Sequence, residues 1–198
     1  ISSLSYLKEE GYMRLDSFTI KNLELFLSFN NSNEGTLFKT LNKTLTAHGS
    51  RLLFKHISNP LTNKIRIQKR LSLIEELMNN TNLLSDIRVL LKELSDIQRI
   101  SSKISNNKSN PKDVLNLGLS LKINSKIKKL IGQYKLKSIE TLINKSKNTS
   151  NISQKIIQII KDDPSINILK GNYINNGVNK KLDEYRLISN NVNQWLVD

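Results

Sequence analysis

Cysteine is absent from this 198-residue chain, which rules out a disulfide framework, a thiolate nucleophile and a zinc site built on sulfur. That suits a reducing compartment, with the cytosol or nucleoid as the expected location. Histidine is scarce as well. His48 and His56 have no further histidine, cysteine or carboxylate cluster near them in the sequence, so a surface or packing role is expected of both and no metal site. No Gly-Lys dipeptide occurs, hence no phosphate-cradling P-loop, and no G-x-S-x-G elbow presents a serine nucleophile. No apolar run approaches the roughly 18 residues that a membrane-spanning helix needs. The neighbouring acids Glu75 and Glu76, Asp162 and Asp163, and Asp183 and Glu184 point to different faces if helical and cannot flank one scissile bond. They are expected to be solvated charges.

What the chain does contain is helical periodicity. Leu83, Leu84, Ile87, Leu90, Leu91, Leu94, Ile97, Ile100 and Ile104 recur at steps of three and four, which predicts one long amphipathic helix from Asn82 to Ile104. Ile67, Leu71, Ile74, Leu77 and Met78 predict a helix before it, and the polar stretch between them predicts a helical hairpin. Thr46 is placed to cap a helix from Ala47 to about Ile57, which Pro60 cannot extend. Asn110, Pro111 and Asp113 form a strong helix start, with the helix running to about Leu130. Shorter helices are expected at Leu136 to Asn144 and Ser153 to Lys161. Ile166 to Ile174 alternates apolar and polar residues around Gly171 and Asn172, as in a small hairpin or extended segment. Leu182, Tyr185, Ile188, Val192, Trp195 and Leu196 define a last amphipathic helix, with Tyr185 and Trp195 on the side expected to be core. The Asn- and Ser-rich stretches Asn30 to Asn33, Ser105 to Asn110 and Ser146 to Asn151 read as loops. No repeat of fixed period is present. The fold class is therefore all-α and irregularly multihelical, with at most one small β-hairpin.

The formal net charge is +14 and the isoelectric point about 9.9, which makes a polyanion a natural partner, although the heavy use of Lys and Asn is also what an AT-rich genome produces by drift. Between Pro111 and Ile160 the only acids are Asp113 and Glu140, and Lys122, Lys126 and Lys129 share one helical face. That stripe is either a phosphate-facing surface or an ordinary solvent face. Tyr134 is the one aromatic nearby, which gives base stacking little support.

One stretch carries more than pattern. Gly35-Thr36-Leu37, followed by Leu41, Thr44, Thr46, Gly49, Arg51 and Leu53 and ending in Asn59-Pro60-Leu61, resembles the N-terminal part of the MutS core. Four further blocks agree in order: Asn22-Leu23-Glu24, Arg70, Asp96 and Arg99 with Pro111-Lys112-Asp113, and Gly171 to Gly177 leading into Leu182-Asp183-Glu184-Tyr185-Arg186. The sequence departs from the family pattern at His48, His56, Asn172 and Val178.

The resemblance implies the core and lever region of a DNA mismatch repair protein, which couples an ATPase to a DNA clamp. Residues 1–15 would end a connector junction, 16–178 would form the core, and 179–198 would begin the lever helix leading to the clamp. The chain opens on Ile1 rather than Met and ends at Asp198 inside an uncapped apolar pattern, so both ends are expected to be cuts in a longer protein. ATP and magnesium would bind the parent protein outside this chain, leaving no cofactor and no catalytic residue within it. Partners would be double-stranded DNA through the parent protein, a second MutS subunit and a MutL-type repair protein, with no membrane. Two other readings stay open: a freestanding basic module that grips DNA through Lys122, Lys126 and Lys129, and a helical protein-interaction domain.

Overall fold

Side-chain oxygens mark where most helices of this chain begin. The computed structural model describes residues 11–134, 136, 138–140, 143 and 146–195, with side chains to residue 189. Its helices are α1 (Ser17–Asn22), α2 (Leu37–Leu41), α3 (Ala47–Ser58), α4 (Lys64–Met78), α5 (Thr81–Lys92), α6 (Ile97–Ser105), α7 (Pro111–Gln133), α8 (Ser150–Ile159) and α9 (Lys180–Trp195). The Oδ1 of Asp16 and of Asn63 and the hydroxyls of Thr36 and Thr46 each accept the backbone N–H three residues on, at 2.7 to 3.2 Å. Asn110 and Asp113 cap reciprocally: Asp113 N donates to Asn110 Oδ1 at 2.8 Å, and Asn110 N to Asp113 Oδ2 at 3.2 Å. Each such bond satisfies an amide that the first turn cannot pair, at about 1 kcal/mol.

The chain divides into two compact units. One comprises Ile1–Asp96 and Ile127–Ser146. In it, α2 packs on α3 and α4 on α5, the latter pair forming the expected helical hairpin across Asn79 and Asn80. Leu25, Thr36 and Leu83 are buried, and Phe26, Phe38 and Phe54 gather with ring centroids 4.1 to 5.9 Å apart. Pro60 accepts from Met13 N at 2.8 Å beside an isolated antiparallel bridge between Tyr12 and Leu61.

The other unit comprises Ile97–Lys126 and Lys147–Asp198. Buried Ser153 donates its hydroxyl to the carbonyl of Gly118 at 2.8 Å, which holds α8 against α7 at a point where both present small residues. Ile100, Leu115, Ile123 and Ile160 are among its buried residues.

Four expectations need correction. The predicted helix from Asn82 to Ile104 is two helices, interrupted after Lys92 and restarted at Ile97. The apolar period runs through the break, but Ser95 and Asp96 favour a helix start over a helix interior, and the carboxylate of Asp96 is held by Arg51. Ile166 to Ile174 forms no hairpin. It makes a 3-10 turn at Ile168–Lys170, then pairs with the end of α8 through the bridge between Ile160 and Ile174. Helix α8 starts at Ser150, inside the stretch expected to be loop. Tyr185, expected in the core, is 68% exposed; the side chain of Trp195 lies outside the described residues. So, in part, does the helix expected at Leu136 to Asn144.

Gly118 lies inside α7, where alanine would ordinarily be the better residue by roughly 1 kcal/mol. A Cβ there would sit 2.6 Å from Cγ2 and 2.9 Å from Cβ of Ile156. Gly118→Ala is therefore expected to destabilise the chain by about 1 kcal/mol or more, read as a lower urea midpoint. A rise in the midpoint would refute the close α7 to α8 approach.

Candidate functional site

Two arginine–aspartate devices organise the residues singled out from the sequence. Arg51 leaves α3 one turn after the Thr46 cap and forms a two-pronged contact with Asp96: Nη1 to Oδ2 at 2.9 Å and Nη2 to Oδ1 at 2.7 Å. The two motif blocks, 45 residues apart, meet here. Asp96 supports the guanidinium and raises the pKa of Arg51. His48 Nε2 lies 3.6 Å from Asp96 Oδ1, so a carboxylate does stand beside this histidine, brought there by folding. Among the described residues no group of three metal-ligating side chains forms.

The threonines and glycine of the same block have local reasons. Thr44 donates its hydroxyl to Asn42 Oδ1 at 2.6 Å, and Asn42 Nδ2 donates to Ser50 at 3.1 Å. A Cβ on Gly49 would stand 3.1 Å from the capping oxygen of Thr46 and 3.3 Å from Thr44 Cβ. Asn22 closes α1 and Leu23 is its cap residue. Glu24 adopts a left-handed backbone with φ of 46°, stabilised by Phe29 N donating to Glu24 Oε1 at 2.7 Å.

The second device lies at the foot of α9. Four consecutive loop residues tie α8 to α9. Ile174 O accepts from Arg186 Nη2 at 2.9 Å. Asn175 Nδ2 donates to the carbonyls of Gln158 at 2.9 Å and Ile160 at 3.0 Å, closing α8. Asn176 Oδ1 accepts from Arg186 Nη1 at 2.9 Å, and Gly177 N donates to Asp183 Oδ2 at 2.8 Å. Asp183 Oδ1 completes the network by accepting from Arg186 Nη1 at 3.1 Å. Asp183 is thus a bonded group, and the expectation that it is a solvated charge is corrected. Glu76 is corrected likewise, since it accepts from the N–H of Ser138 at 3.2 Å and from its hydroxyl at 2.8 Å.

Burial alone would raise the pKa of Asp113. The hydrogen bond from Lys103 at 2.9 Å, the amide of Asn110 and the charges of Lys103 and Arg99 outweigh it and hold the carboxyl below its ordinary range. Lys122, Lys126 and Lys129 are all exposed on α7. Sequence reasoning missed Asn42, Asn175 and Asn176. Their one signal was position, beside Thr44 and beside Gly177, because an asparagine amide serves caps and turns equally well.

Motif side chains that lock loops onto helix ends are the build of a structural helical segment. The chain belongs to the MutS domain III family, whose model matches residues 18–196. It is 35% identical, over its whole length, to the DNA mismatch repair protein MutS of Caldanaerobacter subterraneus subsp. tengcongensis, matching 23% of that protein. It is 36% identical to the MutS of Persephonella marina, covering 99% of the chain and 22% of the relative. It is also 36% identical to the MutS of Clostridium beijerinckii, over 94% and 20%. The chain thus spans roughly a fifth to a quarter of the length of these relatives.

Burial, with the charges of Arg70 and Lys55, lowers the pKa of His56. A depressed imidazole pKa favours the folded chain while the ring is neutral, so this stability is present above about pH 6.5 and is lost as pH falls through the lower folded value. The urea midpoint is expected to decline on acidification below that point, and His56→Gln to flatten the decline. An unchanged profile in the variant would remove His56 as the cause.

Proposed function

We propose that this chain acts as the mechanical core of a MutS-like DNA mismatch repair protein, transmitting displacement between an ATPase and a DNA clamp that lie outside it. The match of residues 18–196 to MutS domain III carries this reading. The geometry gives it a means: α9, the proposed lever, is fastened at its foot by Asp183 and Arg186 to the loop that closes α8. On this reading residues 16–178 form the core and α9 begins the lever. ATP and magnesium are held elsewhere in the parent protein, and this segment takes no part in the chemistry of ATP hydrolysis. Duplex DNA, a second MutS subunit and a MutL-type protein are partners of the parent, working at the nucleoid.

The test is made in the full-length protein carrying this segment. Arg186→Ala is expected to leave ATP hydrolysis without DNA unchanged, while lowering its response to mismatched duplex by about fivefold or more, the scale of a coupling free energy. An undiminished response would sink the lever role. The exposure of Lys122, Lys126 and Lys129 favours a second reading, direct contact with the DNA backbone. It requires that changing all three to Glu reduce the salt dependence of duplex binding, with a slope that falls by roughly 0.9 for each phosphate no longer neutralised. The mechanical reading expects no change in that slope.

A further inference from the structure

Asn176-Gly177 is the one Asn-Gly dipeptide in the sequence. In such a pair the backbone nitrogen of the glycine can attack the asparagine side-chain carbonyl, because no side chain obstructs ring closure. Two groups limit the reaction in water: the amide nitrogen is a poor nucleophile until it loses its proton, and the carbonyl is a poor electrophile until its oxygen is stabilised.

Here both limits are addressed by charged side chains. Gly177 N, the nucleophile, donates to Asp183 Oδ2 at 2.8 Å, so a carboxylate stands ready to take its proton. Asn176 Oδ1, where negative charge would develop, accepts from Arg186 Nη1 at 2.9 Å. Arginine can only donate, which fixes the oxygen rather than the nitrogen of the Asn176 amide on that side. The guanidinium also joins the two halves through its contact with Asp183 Oδ1 at 3.1 Å. Asn176 and Gly177 are exposed to the water that completes the reaction, and Gly177 holds a φ of 81° that favours glycine.

We propose that Asn176 is a self-catalysed deamidation site, with Asp183 as the base and Arg186 as the group that stabilises the developing oxyanion. Gly177 N bonds to Asn176 Cγ as its proton passes to Asp183. The bond from Cγ to Nδ2 then breaks, and ammonia leaves with the proton returned by Asp183, giving a succinimide. Water opens the ring at either carbonyl to yield aspartate or isoaspartate. The net change is addition of water and loss of ammonia, with no change of oxidation state. The aspartyl product places a second carboxylate beside Arg186. The isoaspartyl product lengthens the main chain before Gly177 and draws its N–H away from Asp183. Either one alters the fastening of α9.

The test follows deamidation of the intact chain in warm neutral buffer by peptide mapping with isoaspartate detection, using Asn31-Ser32 in the same molecule as the internal reference. Asp183→Asn can still accept the Gly177 N–H but cannot act as base. It is expected to slow reaction at Asn176 by about tenfold or more, toward the usual scale of general-base assistance, and to leave Asn31 alone. Arg186→Lys is expected to slow it as well. Faster deamidation in Asp183→Asn would show that the network protects Asn176 and would overturn the proposal. Should that variant lose its helical circular dichroism, the native chain is compared with a free peptide spanning residues 173–180. The proposal stands if the native chain reacts faster and fails if it does not.

Discussion

A helix begins with N–H groups that its own turns cannot satisfy, and the way this chain meets that demand sets the positions of nearly all its other parts. Asp16, Thr36, Thr46, Asn63, Asn110 and Asn179 each offer an oxygen to the amide three residues on. Glycine and proline are few, so polar side chains do the punctuation that those residues perform elsewhere. The cost of error is local and definite: an unpaired amide forfeits about 1 kcal/mol. Asn80 shows the same chemistry in reverse. Its Nδ2 donates back to the carbonyl of Glu76 at 2.7 Å, closing α4 instead of opening α5.

The arginine–aspartate contacts extend this local grammar over distance. The Arg51 side chain is 47% exposed and that of Asp96 22%. A pair so open to solvent contributes at most about 1 kcal/mol, so its value lies in geometry. A planar guanidinium meeting both carboxylate oxygens fixes direction as well as distance, which a lysine would not. Arg186 goes further and serves a backbone carbonyl, an amide oxygen and a carboxylate at once. Both devices position segments of chain, and neither supplies much of the stability.

How much of this was legible in the sequence depended on range. The Asn110 and Asp113 box and the Thr46 cap were readable because the partner stands three residues away. The membership in MutS domain III was readable too, since ordered motif blocks survive where single motifs do not. The break between α5 and α6 was hidden because apolar spacing reports which side of a segment is buried and passes unchanged across a short interruption. Arg51 and Asp96 were each singled out, yet their pairing spans 45 residues and no local rule connects them. Asp183 was misread for a related reason, since adjacent acids on a helix do diverge but one of them can meet a loop that folds back.

Leu182 in the first turn of α9 is half-buried, but Tyr185, Leu187 and Ile188 beyond it are 68%, 63% and 59% exposed, so apolar burial does little to direct this helix past its foot. Its direction therefore rests on polar bonds to the loop before it, chiefly those of Asp183 and Arg186 to residues 174, 176 and 177. Such a joint is stiff, because three acceptors around one planar group leave little rotational freedom. It is also chemically sensitive, because it depends on the amide of Asn176 remaining an amide and on the Asp183 side chain that accepts from Gly177 N and Arg186. A helix seated by apolar packing would tolerate removal of one hydrogen bond; a helix seated this way changes its bearing when a single side chain changes its charge.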